Sequence, residues 1–214
     1  MKVGVIDYGV GNLGSVLRTL EELRVQPVLL THPQDMNTAD SLILPGVGNF
    51  KDCARLLQEG GWVQALQYQV KNNQKPLLGV CVGMQLLATC SMEGADADSP
   101  DGTVGLNLIE GRVEHLQALG CQLRVPHVGW NDIVKHQQDE VLFNGIADGA
   151  DFYFVHSYAF VPTNPAHVLA STDYGVTVTA AVRKGHVWGT QFHPEKSSRA
   201  GFRLLRNFIE YQAC

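Results

Sequence analysis

The stretch LLGVCVGMQLL, Leu77 to Leu87, sets one cysteine between two glycines where an apolar run stops reading as a strand and starts reading as a helix. Gly79-Val80-Cys81-Val82-Gly83 has the glycine-x-nucleophile-x-glycine form of a sharp strand-to-helix turn. On such a turn the residues two before and two after the nucleophile come close together, so a Cβ on either would collide. A cysteine there would sit at a helix amino terminus, where the dipole favours the thiolate. Free cysteine is also among the most often buried residue types, so the motif alone leaves a packing role open.

Outward from that turn, the first half alternates strand and helix patterns. KVGVID (Lys2 to Asp7), PVLLT and SLILP (Ser41 to Pro45) read as buried strands. Asn12 can cap a helix striped by Leu13, Val16, Leu17 and Leu20, and a helix after Gly48 carries Phe50, Ala54 and Leu57. A further helix is expected from Trp62 to Val70. This alternation predicts a parallel sheet covered on both sides, an α/β fold. From Leu108 to Gln191 the runs are short, β-branched and broken by turns, which predicts a smaller antiparallel sheet, with AVRKGHVWG a hairpin through Lys184-Gly185. Met92 to Thr103 is acidic and turn-rich, hence a surface loop to which no role is assigned. A closing amphipathic helix, Ser198 to Tyr211, places Phe202, Leu205, Phe208 and Ile209 inward. No repeat or linker divides the chain, and residues 1–214 are expected to form a single domain.

The bulk composition narrows the function. With 45% hydrophobic and 17% charged residues, the 214-residue chain can bury a substantial core. Its net charge of -5 leaves no basic surplus for phosphates, which argues against nucleic-acid binding. No apolar run approaches the ~20 residues that span a bilayer, and Asp7 interrupts any secretory-signal pattern. Cys53, Cys81, Cys90, Cys121 and Cys214 are odd in number and form no C-x-x-C pair, which favours reduced thiols in a cytoplasm.

Two further motifs favour catalysis. In GTQFHPEKSS, Pro194 biases His193 toward an extended conformation, and residues two apart in an extended chain point the same way. His193 can then serve as a base for Cys81, with Glu195 orienting the imidazole. In LILPGVGNF, a Pro-Gly-x-Gly loop follows a buried strand, and the N–H near Val47 with that of Val82 would make an oxyanion hole.

GVCVGMQ followed more than a hundred residues later by QFHPE resembles the class I (triad) glutamine amidotransferases. That resemblance implies the family's flavodoxin-like α/β fold and glutamine hydrolysis through a thioester, with Cys81 as nucleophile, His193 as base and Glu195 as orienting carboxylate. It implies substrate contacts from Gly46, Gly48 and Gln85, and from the VHSYAF segment at His156, Ser157 and Tyr158. IDYGVGN, LPGVGNF, VPHVGWN, AVRKG and HPEKSS together are similar to the branch that serves as glutaminase subunits of imidazole glycerol phosphate synthases, in histidine biosynthesis. A subunit of another synthase, of the anthranilate or aminodeoxychorismate type, is the alternative. The branch implies a heterodimer with a cyclase subunit built as a (β/α)8 barrel, contacted through Asn12, Trp130, Arg183 and Lys184, with ammonia passed between subunits and no cofactor or metal.

Overall fold

A computed structural model describes residues 1–95, 100–137 and 139–211. Residues 96–99 of the acidic loop, and Cys214, lie outside the described residues.

The first half alternates β1 (Lys2–Ile6), α1 (Leu13–Glu22), β2 (Gln26–Leu30), β3 (Ser41–Gly46), α2 (Phe50–Glu59), α3 (Trp62–Lys71), β4 (Leu77–Cys81) and α4 (Val82–Gln85). A 3₁₀ turn, Pro33–Thr38, joins β2 to β3. The second half supplies β5 (Cys90–Ser91), β6 (Thr103–Val104), β7 (Gly111–His115), β8 (His127–Asp132), β9 (Val134–Lys135), β10 (Asp151–His156), β11 (Tyr158–Pro162), β12 (Val168–Asp173), β13 (Thr177–Lys184) and β14 (Val187–Thr190). Helix α5 (Ser198–Glu210) follows.

The central sheet runs β2-β1-β3-β4-β14-β13-β12-β9. Neighbours are parallel from β2 through β14 and antiparallel from β14 through β9. Strands β3, β4 and β14 are buried at every residue, as parallel strands covered on both faces must be. Adjacent residues of a strand face opposite sides. Accordingly Trp188 packs edge-on against Phe208 of α5, ring centroids 5.8 Å apart, while a Cβ on Gly189 would meet Met84 Cγ of α4 at 2.6 Å. The two helices therefore cover opposite faces of β14.

Several expectations need correction. The smaller sheet expected of the second half is present, but β9, β12, β13 and β14 of that half join the central sheet, where the two-residue turn Gly185-His186 makes β13 and β14 antiparallel neighbours. That turn lies one residue later than Lys184-Gly185, since Lys184 already pairs with Val187. The remaining strands form a four-stranded sheet, β11-β7-β5-β6, and a β10–β8 pair. Asn12 stands at the start of α1 without a side-chain capping bond. Phe202 is only half-buried, and Leu204 takes the inward position beside Leu205.

The turn after β4 is held by backbone packed against backbone. A Cβ on Gly79 would lie 2.5 Å from the Gly83 carbonyl oxygen, one on Gly46 would lie 2.6 Å from the Gly83 nitrogen, and one on Gly83 would overlap the Leu44 carbonyl. None of these obstacles is a flexible side chain. Gly83→Ala is therefore expected to destabilise the fold by about 3 kcal/mol or more, read as a fall in the urea midpoint. A loss below about 1 kcal/mol would show that the turn can relax.

Candidate active site

Cys81 ends β4 with φ 57 and ψ -113, a left-handed conformation unusual for a residue with a Cβ. Its chain direction reverses into α4, so the side chain stands at the carboxyl edge of the parallel strands. Helix α4 spans only four residues, too short for the dipole expected from the sequence to dominate. The positive charge comes instead from a side chain.

That side chain is His193. Its Nδ1 lies 2.8 Å from Glu195 Oε1, and it lines the same cavity as Cys81, whose thiol donates to the Val155 carbonyl at 3.8 Å. Burial alone would lower its pKa, but its interactions with Cys81 and Glu195 outweigh that and raise it from 6.5 to about 9. Burial would likewise raise the Glu195 carboxyl, but the His193 bond, aided by Asn12, holds it below its ordinary value. His193 is extended, as expected, with φ -96 and ψ 97. Glu195 reaches it from a 3₁₀ turn, Pro194–Lys196, and not from a continuing extended chain. The second carboxylate oxygen, Oε2, is buried without a hydrogen-bond partner among the described residues.

A cavity of about 330 Å³ opens over these groups, lined by Val47, Gly48, Cys81, Val82, Gln85, Glu93, Pro126, Val155, His156, Ser157, Tyr158 and His193. Val47 stands at its mouth, 37% exposed. The loop carrying Val47 is tied from beneath. The Tyr8 hydroxyl donates to the Pro45 carbonyl at 3.0 Å, and the buried Cys53 thiol to the Val47 carbonyl at 3.5 Å. The Gly48 N–H of the same planar peptide points away from Cys53.

Gln85 projects from α4 and spends both hydrogens of its Nε2, on the Tyr158 carbonyl at 3.0 Å and on Gln191 Oε1 at 2.9 Å. Gln191 Nε2 in turn lies 3.8 Å from Cys81 Sγ. Glu93, in the acidic loop that the sequence left without a role, accepts from the Phe50 N–H at 2.7 Å. Burial raises its pKa above the ordinary value, opposed by that bond.

The structure thus brings Cys81, His193, Glu195, Val47, Val82, Gly48, Gln85, His156, Ser157 and Tyr158 to one place. Gly46 is not among the lining residues, because it is buried against Gly83 under the turn. Asn12 is turned into the site, its Nδ2 3.2 Å from Glu195 Oε1, and so braces the carboxylate. Trp130 is 54% exposed on β8. Arg183 and Lys184 lie elsewhere. Lys184 pairs with Val187, and Val187 with Leu77, four strand residues or about 13 Å from Cys81 at the opposite edge of the sheet. Arg183 is occupied by Glu140 at 2.8 Å and the Trp188 ring at 4.7 Å, and Lys184 by Glu110 at 2.7 Å. These two residues thus stand at the opposite end of the strands from the cysteine.

Sequence reasoning missed Glu93, Gln191, Tyr153 and Lys196. Only Gln191 and Lys196 had an available signal, since both flank His193-Pro194-Glu195 in the chain. Lys196 Nζ stands 5.8 Å over the Tyr153 ring, which meets Trp130 edge-on at 6.1 Å.

The chain is similar to known proteins over nearly its whole length. The family described as Glutamine amidotransferase class-I matches residues 4–211. The imidazole glycerol phosphate synthase subunit HisH of Methanosarcina acetivorans is 44% identical over 211 residues, covering 98% of each chain. Its counterpart from Moorella thermoacetica is 42% identical over 208 residues, 97% of this chain and 94% of that one. Among solved structures, one described as PurLQS from Thermotoga maritima superposes with a TM-score of 0.74 at 16% identity, covering 98% of each chain. A crystal structure of a glutamine amidotransferase gives 0.72 at 23% identity, over 97% of each.

The raised His193 pKa links stability to pH. Folding holds its proton more tightly than the unfolded chain does, so the stabilisation is complete below about pH 6.5 and is lost as pH rises through about 9. Urea unfolding of the native chain should therefore weaken across that window relative to His193→Gln. Parallel pH profiles for the two proteins would contradict the pairing.

Proposed function

The chain belongs to the class-I glutamine amidotransferase family and, within it, to the HisH subunits it matches, and on that premise we propose that it hydrolyses glutamine at Cys81. The observation that carries this reading is the convergence of Cys81, His193, Gln85 and Glu93 on one cavity. Cys81, as thiolate, attacks the side-chain carbonyl carbon of glutamine. The N–H groups of Val82 and Val47 receive the oxyanion, each donor worth about 2.7–4 kcal/mol in the transition state. The His193 imidazolium protonates the departing nitrogen, leaving a thioester and ammonia. Neutral His193 then takes a proton from water, which attacks the thioester and releases glutamate. Glu195 holds the imidazole in place and stabilises its charged form.

Glutamine is a zwitterion, and the cavity offers a counterpart for each end. Glu93, the carboxylate that lines it, suits the α-ammonium, and the Ser157–Tyr158 backbone suits the α-carboxylate. Gln85 contacts the body of the substrate.

The released ammonia is useful only if it reaches an acceptor unprotonated, so the mouth must be covered. We infer a heterodimer with a cyclase subunit of (β/α)8 form, which uses the ammonia to make imidazole glycerol phosphate. The docking face is the one beside the triad, where Val128 and Trp130 are exposed and Tyr153 and Lys196 adjoin. Residues 1–214 act as one amidotransferase domain, in a cytoplasm that keeps its thiols reduced.

In the complex, Cys81→Ala should abolish glutamine-dependent synthesis and leave ammonia-dependent synthesis intact; loss of both would make Cys81 structural. Glu93→Gln should raise the KM for glutamine by about 10- to 100-fold, the worth of a charged hydrogen bond. Trp130→Ala should weaken the complex by about 2 kcal/mol or more, whereas Lys184→Ala leaves its dissociation constant unchanged. The reverse ranking, by titration calorimetry, would move the interface to the hairpin.

A further inference from the structure

Strands β8 and β10 pair so that His127 lies directly opposite His156. Both rings are buried, and His127 is stacked between Tyr174 and Phe154, with centroids at 4.0 and 4.9 Å. Neither ring takes a proton in the chemistry above. Their hydrogen bonds nevertheless leave no freedom in where the protons sit.

His156 Nδ1 is 2.8 Å from the Tyr158 carbonyl oxygen, which can only accept, so Nδ1 carries the hydrogen. In a neutral ring, Nε2 of His156 is then a bare acceptor. His127 Nδ1 stands 3.0 Å from that nitrogen and must donate to it. By the same logic His127 Nε2 is bare, and it faces the Asn131 amide nitrogen at 3.4 Å. Adding a proton to His156, or moving one between the nitrogens of either ring, would set two donors or two acceptors against each other. Burial keeps both rings neutral, with pKa values lowered to about 4 for His127 and about 3 for His156. The ionisable groups facing them are each other, Tyr174 and, for His156, the His193 of the triad.

The chain of bonds ends on the Tyr158 carbonyl, which also receives Gln85 Nε2. Two donors converge on one oxygen at the point where β10 gives way to β11, and Ser157 and Tyr158 there line the cavity. We propose that His127 and His156 form a fixed-tautomer pair that positions the Ser157–Tyr158 backbone for substrate binding. This rests on the glutaminase reading only for the identity of the substrate. They are positioning residues: His127 lies outside the cavity lining, and it acts through His156.

Two experiments decide the matter. Long-range ¹H–¹⁵N spectra of ¹⁵N-histidine-labelled protein should show both rings as the Nδ1–H tautomer, which is the minor form of free histidine, with no titration between pH 6 and 8. This readout holds whatever the substrate proves to be. An Nε2–H signal for either ring, or a titration near 6.5, would overturn the proposal. The second experiment is kinetic, on the complex with the cyclase. His127→Leu should raise the KM for glutamine about tenfold while kcat changes by less than about threefold and ammonia-dependent synthesis is unchanged. His127→Asn, whose amide nitrogen can stand in for Nδ1–H, should recover most of the loss. An unchanged KM in His127→Leu, or equal defects in Leu and Asn variants, would sink the positioning role; absence of glutamine turnover in the native complex would instead sink the substrate assignment.

Discussion

Everything at the site depends on the close approach of β3 to the turn after β4. The Leu44 carbonyl occupies the space where a Cβ on Gly83 would project, the Gly83 nitrogen blocks a Cβ on Gly46, and Gly83 in turn presses on Gly79. Between them Cys81 is left with a positive φ, a conformation that costs on the order of 1–3 kcal/mol in a residue with a side chain. The neighbouring strands over-determine it. Val80, Gly79, Leu78 and Leu77 are paired on one side with β3 and on the other with β14, so the end of β4 cannot swing to a relaxed geometry.

A strained thiol is only half of a nucleophile. The other half is a buried imidazole with a pKa raised to about 9, which burial alone would not permit. The Glu195 carboxylate, its side chain 1% exposed, meets that imidazole at 2.8 Å and is itself braced by Asn12 from the start of α1. Two charges excluded from water need each other's company; removing either would strand its partner in a low-dielectric setting. The same burial drives His127 and His156 the opposite way, because neither ring hydrogen-bonds a carboxylate that would offset it. One cavity is thus lined by a charged histidine, His193, and a neutral one, His156, sorted by what each ring touches.

The elbow and the His193-Pro194-Glu195 segment were legible in the sequence because each is a local pattern, closed within three to five residues. The alternation of strand and helix in the first half was legible for the same reason. What escaped is non-local. Gln85 and Gln191 stand 106 residues apart, and only the β4–β14 pairing makes them neighbours. Glu93 gains its place because the loop folds back to the Phe50 N–H, 43 residues away. The position of Arg183 and Lys184 escaped for a complementary reason: a hairpin tip reads as exposed from its residues, but which edge of the sheet it occupies depends on strand order.

Strand order also explains why a chain whose halves differ so much makes one site. Chain direction places ligand sites beyond the carboxyl ends of parallel strands. Here β3, β4 and β14 are consecutive parallel neighbours, and they lead into the Val47 loop, Cys81 and His193 respectively. Had β14 paired antiparallel to β4, the base would have emerged at the far edge, beside Lys184. The turn at Gly185-His186 prevents this. By reversing β13 into β14, it restores the direction of the first-half strands after the detour through the small sheets. A residue that touches nothing in the cavity thereby decides that the histidine meets the cysteine.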